Sequence, residues 1–504
     1  MEETLVYTML SVILGLVLAM RVFTYIKREQ HRNLPPSPPS LPIIGHLHLM
    51  LKQPRQRTLH DLSNKYGPIM SLRLGTRLVV VVSSASVVEE CFTKNDIILA
   101  NRPHFSLGKY VLYNNTVLVT ENYNQHWRNL RRISTTEILS TNRLNQFLSV
   151  RKDEVNCLLR RLRDSLSSCH HGYARVGIRP MLVDLSSNVI MRMVAGKRYY
   201  GAGRVDDEGK EFQEAIKEFS EIAELFTTLG DLFPGFKWLD AMHVMKLRQI
   251  GQRLDSFLQR LIHGRRSVKC IDHTMIDHLL TLQESEPDYY SDQTIKGLIL
   301  VLLIGGSLTS ATTLEWAIAN LLNRPSALNK AKSEIESRIG EERLVDESDL
   351  PSLKYLESIV HETLRMYPTT PLLVPHLSSD DCTIGGFHVP ADTILVVNAW
   401  AVQRDAELWD DPTSFKPERF ENGKVERFKL LPFGMGRRAC PGEGLAMRTI
   451  SLTLASLIQC FDWETVDGKQ IDMTEKVTVT MRKVEPLELM LKARPILQKI
   501  SLNY

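Results

Sequence analysis

Ten residues near the C-terminal end constrain this chain more than any other feature. Phe433–Gly442 reads FGMGRRACPG, setting Phe433, Gly436, Arg438, Cys440 and Gly442 at fixed spacing before an apolar helical stretch from Leu445 to Phe461. A cysteine in a glycine-rich turn that opens a helix meets backbone N–H groups and the positive helix end, and both stabilise a thiolate. Gly436 and Gly442 allow close backbone approach, Phe433 supplies an apolar wall, and Arg438 can pair with a carboxylate on whatever the thiolate binds. The other cysteines give this one no partner. The seven, at 91, 157, 169, 270, 382, 440 and 460, are an odd number without a C-x-x-C pair. Zinc and thioredoxin-type sites therefore lack their signature, and a reducing compartment is implied.

The N-terminus reads as a membrane anchor. Leu5 to Met20 carries no charge, and Val22, Phe23, Tyr25 and Ile26 extend the apolar run past Arg21. About 20 residues at 1.5 Å each span a bilayer core. Glu2 and Glu3 precede the run while Lys27, Arg28, His31 and Arg32 follow it, which leaves the body in the cytosol. A signal peptide would need a basic leading region and a small-residue cleavage pattern; neither is present here. Residues 1–26 are thus read as an anchor and 27–45 as a basic, proline-rich hinge. Five prolines fall between 34 and 42, and such a run is a stiff extended spacer. Residues 46–504 read as one large folded domain, and the 43% hydrophobic and 24% charged content of the chain suits a large globular core. The net charge of +4 is too small to argue for nucleic acid.

Ile69–Val82 holds two β-rich runs separated by Gly75-Thr76, a hairpin pattern. Helical periodicity follows at 84–94, 124–137, 142–168, 181–195, 208–228, 240–267, 273–284, 291–322, 325–339 and 352–366. Strand-like alternation returns at 383–398 and 462–492. The layout is mainly α with small β-sheets (α+β), one sheet near each end of the chain. Leu298–Ile304 in the long helix is too short an apolar run to span a membrane, so 291–322 reads as a buried core helix. Gly305 and Gly306 inside it cost about 1 kcal/mol each relative to alanine. They let something flat approach the backbone.

In order along the chain, these features resemble the cytochrome P-450 family, whose haem iron is held by a cysteine thiolate in a loop like Phe433–Gly442. Glu362-Thr363-Leu364-Arg365 matches the family's E-x-x-R and Pro417-Glu418-Arg419-Phe420 its P-E-R-F. The resemblance implies the cytochrome P-450 fold, with haem b ligated by Cys440. It implies cofactor contacts from Phe433, Arg438, Trp127 and Arg131 in WRNLRR, and His376 in VPHLSSDDC. Glu362, Arg365 and Arg419 would support the loop without taking part in the chemistry. Gly305 and Gly306 would open an oxygen groove, with the Thr309 hydroxyl near the distal oxygen. The strings NRPHFSLGKYVLYNNT, Thr-Leu-Glu-Trp and P-H-x-S-S-x-D-C are similar to the plant microsomal branch, in the subgroup of isoflavone hydroxylases and sesamin synthase. The implied partners are O2, a small phenolic or terpenoid substrate, and a membrane-bound NADPH–cytochrome P-450 reductase. NADPH is then used indirectly, at the endoplasmic reticulum membrane with the body facing the cytosol.

One position departs from the family pattern. The acid that usually precedes the distal threonine is replaced by Leu308, in Gly305-Gly306-Ser307-Leu308-Thr309. Glu315 lies about two turns away and is a poor substitute. Three readings follow. Ser307, Ser310 and water carry protons in an ordinary hydroxylase; the enzyme performs phenol coupling, ring closure or methylenedioxy-bridge formation; or it rearranges peroxides, which the intact Thr309 and cysteine loop disfavour. A haem-binding scaffold without turnover is a fourth reading, favoured by Leu308 alone. Expected substrate walls are Phe105–Tyr113, 219–229, Leu302, Gly305, Thr370–Leu373 and 479–481, and an expected basic docking face joins Lys424, Arg427, Lys429 and Arg437.

Overall fold

The computed structural model describes residues 33–166, 172–201, 207–222, 228–267, 274–421, 425–477 and 480–499. The anchor read at 1–26 lies outside the described residues, as do residues 27–32 of the hinge. The described part of the hinge is fastened to the body: the Ser71 N–H donates to Pro36 O and its hydroxyl to Pro35 O, both at 2.8 Å.

Among the described residues twelve helices have eight or more residues: α1 Arg55–Tyr66, α2 Ala85–Thr93, α3 Gln125–Arg132, α4 Leu148–Leu166, α5 Arg179–Ala195, α6 Asp207–Ile222, α7 Ala241–Arg266, α8 Met275–Ser285, α9 Asp292–Leu322, α10 Pro325–Arg338, α11 Lys354–Met366 and α12 Glu443–Cys460. All but α1, which no periodic segment marks, follow the helical segments of the sequence closely, because a stripe of apolar side chains at helical spacing has one way to reach the core. α3 continues into a π-helical turn at Ile133–Ile138. α9 starts where the Ser291 side chain accepts from the Thr294 N–H, capping an end that would otherwise leave its donors unpaired. Its apolar span is composed like a membrane helix, but most of it is buried inside the body, as a core helix should be.

The strands are β1 Ile69–Leu74, β2 Arg77–Val82, β3 Ala174–Gly177, β4 His376–Leu377, β5 Cys382–Ile384, β6 Phe387–Val389, β7 Ile394–Val397, β8 Phe461–Glu464, β9 Glu475–Val477, β10 Met481–Lys483 and β11 Glu488–Ala493. The expectation of a separate sheet near each end of the chain needs correction. The main sheet runs β1-β2-β7-β4, with β2 and β7 parallel and Val79 opposite Ile394. Residues more than three hundred positions apart thus share one ladder. β3, absent from the sequence reading, pairs with β11 in a β3-β11-β8 sheet. Its four residues alternate buried and exposed, too short a period-two signal to stand out.

Two packing arrangements position the site. α5 lies along α9, and a side chain at Gly306 would place Cβ 3.0 Å from Ile190 Cγ1, so glycine lets the helices close up there. At the other end of that contact the Arg179 Nε donates to both Glu315 carboxylate oxygens at 2.8 Å. In the second arrangement Arg365 donates from Nε and Nη2 to Glu362 at 2.6 and 2.8 Å, with both side chains fully buried. Arg365 Nη1 also donates to Gln403 O at 2.7 Å. Arg419 Nε joins Glu362 at 3.3 Å. The Gln403 side chain then accepts from the Leu431 N–H at 2.7 Å, two residues before Phe433. The expected Glu–Arg–Arg cluster is therefore tied directly to the root of the cysteine loop.

Candidate active site

The cysteine loop folds back on itself through a Cys440 N–H to Phe433 O hydrogen bond of 2.8 Å. Gly436 has φ +71°, and a Cβ there would meet Asp96 Oδ1 at 2.4 Å. Only glycine fits that turn. Cys440 faces a cavity of about 340 Å³ bounded by α3, α5, α9, α12, residues 369–376 and the loop itself. Its Sγ accepts from the Gly442 N–H at 3.3 Å. The sequence reading expected this environment to favour the thiolate. In the folded chain burial raises the thiol pKa, outweighing the Gly442 N–H and the Arg131 charge that pull it down.

Around one edge of the same cavity stand four basic side chains. Arg438 stacks over Trp127 with its guanidinium carbon 4.3 Å from the ring centre and donates to Ala100 O at 2.7 Å and Glu121 O at 2.5 Å. The Trp127 Nε1–H donates to Leu118 O at 3.1 Å, which sets the ring under the arginine. Arg131 donates to Ala439 O at 2.6 Å, gripping the backbone beside Cys440. His376 is buried, and its Nδ1–H donates to Leu99 O at 2.7 Å, so Nε2 is protonated only when the ring is cationic. The fourth, Arg102, was not singled out from the sequence. It donates from Nη1 to Val374 O and Pro375 O at 2.7 Å, while its buried Nε has no hydrogen-bond partner. Nothing in the local text N-R-P-H marks it, because its neighbours come from a segment over two hundred and seventy residues away.

No carboxylate side chain lines the cavity among the described residues. Burial lowers the pKa of Arg102 and His376 well below their ordinary values, and that of Arg131 as well. For Arg438 it falls to about 9. Arg438 and Arg102 also press on each other, and Arg102 presses on His376. Desolvated cations without counter-charges are costly. An anionic group seated here would offset the three guanidinium charges and favour the protonated form of His376. A flat molecule with carboxylates on one edge and a thiophilic metal at its centre suits both the rim and Cys440 on the floor.

On the opposite wall, Gly305 and Thr309 of α9 border the cavity. A Cβ at Gly305 would meet nothing within 4 Å, so this glycine leaves the helix backbone open to the cavity. Gly306 borders it too, but its missing side chain serves the close approach of Ile190. The Thr309 hydroxyl donates to Gly305 O at 2.8 Å. Ser307, an expected proton carrier, is buried with its hydroxyl on Leu303 O at 2.6 Å and does not line the cavity. Leu308 is partly buried against the edge of the main core, and Glu315 is held by Arg179 and by the Leu487 N–H at 2.9 Å. The expected substrate walls hold only in part. Leu302, Gly305, Thr370 and Leu373 line the cavity, joined by Leu118, Val119, Val301 and Val374. Phe105–Tyr113 and Met481 do not: Tyr113 is drawn away by a 2.8 Å hydrogen bond from its hydroxyl to Asp255, and the Met481 side chain is in the core. Residues 223–227 and 479 lie outside the described residues. Of the expected docking face, Arg427, Lys429 and Arg437 are each paired, with Glu443, Glu426 and Asp96 respectively, so their charge is locally balanced, and Lys424 lies outside the described residues.

A helical body closed over a cavity that joins a cysteine loop to a cluster of basic side chains defines a haem–thiolate class of protein, and comparison with known proteins agrees. The family model described as Cytochrome P450 matches residues 35–491. Cytochrome P450 81Q32 of Catharanthus roseus is 53% identical, covering 99% of both chains. An isoflavone 2'-hydroxylase of Glycyrrhiza echinata is 51% identical over 94% of this chain and 95% of its own. The (+)-piperitol/(+)-sesamin synthase CYP81Q2 of Sesamum radiatum is 48% identical over 99% of each. A zebra fish cytochrome P450 solved with progesterone shares the fold at a TM-score of 0.77 and 24% identity, over 88% of this chain and 100% of that one. The chain belongs to the cytochrome P450 family: it is an oxidoreductase of the monooxygenase type, and haem is its cofactor.

Proposed function

We propose that this protein oxidises a small, mostly apolar plant metabolite of the isoflavonoid or lignan class, using O2 and electrons that NADPH supplies through a membrane-bound reductase. The observation that carries this reading is what lines the active-site cavity: Cys440, a cluster of basic side chains, and apolar residues beside Gly305 and Thr309. Cys440 would hold the iron. Arg102, Arg131, Arg438 and His376 would hold the haem carboxylates, with Trp127 and Phe433 as flat apolar contacts. When bound, a thiolate-ligated haem supplies the oxygen-activating chemistry; the chain's own residues seat it, exclude water and present the substrate. Leu302, Val301, Val119 and Leu373 leave a space suited to a flat aromatic molecule.

The named functions of the hydroxylase and synthase relatives support the substrate class. A second reading, closure of a methylenedioxy bridge or phenol coupling, is favoured by Leu308, which leaves no acid in the position beside Thr309, and by the sesamin synthase relative. Membrane attachment through residues 1–26, at the endoplasmic reticulum with the body in the cytosol, is supported by an apolar patch on the folded part. Ile43 and Leu51 are exposed on one segment, and Phe236, Trp238 and Met242 on another. The hairpin turn ties the two together: the Gly75 N–H reaches Ile44 O at 3.3 Å and the Thr76 N–H reaches Leu232 O at 3.0 Å. Exposed patches of this kind mark membrane or protein contacts.

The reading is tested on microsomes that hold this chain and a plant reductase, fed isoflavones and lignans, with product masses read with and without NADPH. A gain of one oxygen atom is expected. Loss of two hydrogens with no oxygen gained selects the second reading, and absence of any NADPH-dependent product overturns both. The cation rim gives a separate prediction. Replacing Arg102 with alanine removes a charged partner of a haem carboxylate, worth about 1.5–3 kcal/mol, and should speed haem transfer to an apo-globin acceptor by roughly 10- to 100-fold. An unchanged transfer rate removes Arg102 from the haem contacts.

A further inference from the structure

α5 and α9 are antiparallel, and two contacts fix their register. Ile190 meets Gly306, and eleven residues back along α5 Arg179 meets Glu315, nine residues on along α9. Ser186 stands four residues before Ile190 and Ser310 four residues after Gly306, each one helical turn along on the same face. The register therefore sets the two serines opposite one another, between the fixed points. Both border the active-site cavity and both are more than nine-tenths buried. They are not hydrogen-bonded to each other. The Ser186 Oγ has no hydrogen-bond partner at all, and neither does the Oγ of Ser134, a third buried hydroxyl on the same cavity.

That pattern differs from the neighbouring hydroxyls. Ser307, Thr309 and Thr449 each donate to the carbonyl one turn back in their own helix, at 2.6, 2.8 and 2.9 Å. An unsatisfied buried hydroxyl costs about 1–3 kcal/mol, and buried waters are the usual remedy, each making about three hydrogen bonds. No carboxylate lines the cavity among the described residues, and Leu308, partly buried against the core, does not line it either.

We propose that Ser186 and Ser310 hold a buried water that passes protons into the oxygen-binding side of the cavity, where no described residue supplies an acid. The inference rests on the monooxygenase reading. In that reaction one atom of O2 enters the substrate and the other leaves as water, which takes up two protons and two electrons; the reductase supplies the electrons. Each relay step is neutral: a hydroxyl gives its proton forward and accepts another from the water behind it, so neither serine ends charged. Ser186 acts through the water and is a positioning residue.

The test uses the haem-loaded full chain with its reductase. A crystal structure should show an ordered water within hydrogen-bond distance of both Ser186 Oγ and Ser310 Oγ, and a dry gap there overturns the proposal. In turnover, Ser186→Ala should lower the ratio of product formed to NADPH consumed about tenfold and raise peroxide release. Its carbon monoxide difference spectrum and its spectral substrate affinity should stay unchanged. Ser186→Thr, which restores the hydroxyl, should recover the ratio. A Ser186→Ala enzyme as well coupled as a coupled wild type sinks the relay alone. A wild type that yields no oxygenated product sinks the monooxygenase reading, and the relay with it.

Discussion

Replacing Cys440 with serine abolishes the haem–thiolate spectrum and lowers turnover by at least about a thousandfold, which corresponds to roughly 4 kcal/mol of lost barrier reduction. Two properties of the loop produce this effect. Among the described cysteines Cys440 alone lines the cavity; Cys91, Cys382 and Cys460 are buried elsewhere and Cys157 does not line it. A serine hydroxyl also cannot be ionised by the same surroundings, which already leave the thiol above its ordinary pKa. The fold should survive, because the Cys440 side chain accepts one backbone hydrogen bond, from Gly442, and is not part of the hydrophobic core. The carbon monoxide difference spectrum checks the first effect and circular dichroism the second. A retained thiolate spectrum would assign the ligand elsewhere.

The second large effect is structural. Glu362→Ala leaves the Arg365 guanidinium with no carboxylate in a place fully shielded from water. Removing one partner of a buried pair costs about 3–5 kcal/mol, a large share of the roughly 5–15 kcal/mol that holds a native domain together. The loss also spreads to the site. The Lys416 N–H and Arg419 Nε both donate to Glu362 Oε1, at 2.8 and 3.3 Å, and Gln403 carries the link from Arg365 to Leu431 at the foot of the cysteine loop. The expected result is a much lower urea midpoint together with weakened haem retention. Replacing Glu362 and Arg365 together by apolar residues should cost less than Glu362→Ala alone, because no charge is then left buried and unpaired. Equal midpoints for Glu362→Ala and the wild type would contradict this account.

How far the sequence was legible depended on whether a feature is local. The hairpin at 69–82, the long helix through Gly305 and the cysteine loop are set by residues within one or two turns of each other, and the structure has all three. The ladder between β2 and β7 is not of that kind. Nothing in RLVVVV names Ile394–Val397 as its parallel neighbour, since any β-branched run of the same length satisfies the same pattern. Arg102 was invisible for the same reason. The two adjacent glycines show a finer limit: one text, Gly305-Gly306, holds an opening toward the cavity and a helix-packing notch, and only the helix position turns them to different neighbours. Tyr113 was placed in the substrate wall by resemblance, and its hydroxyl bond to Asp255 holds it elsewhere. Ser307 and Ser310 looked equivalent as proton carriers until one proved tied to its own helix and the other open to the cavity.

The central claim is that this chain inserts oxygen from O2 into an aromatic plant metabolite. It is tested most directly by running the reductase-supported reaction under isotopically heavy dioxygen and weighing the product. The account predicts a product that carries one heavy oxygen atom, formed only when NADPH is present. A product lacking two hydrogens and any heavy oxygen, or one formed equally well without NADPH, would contradict it.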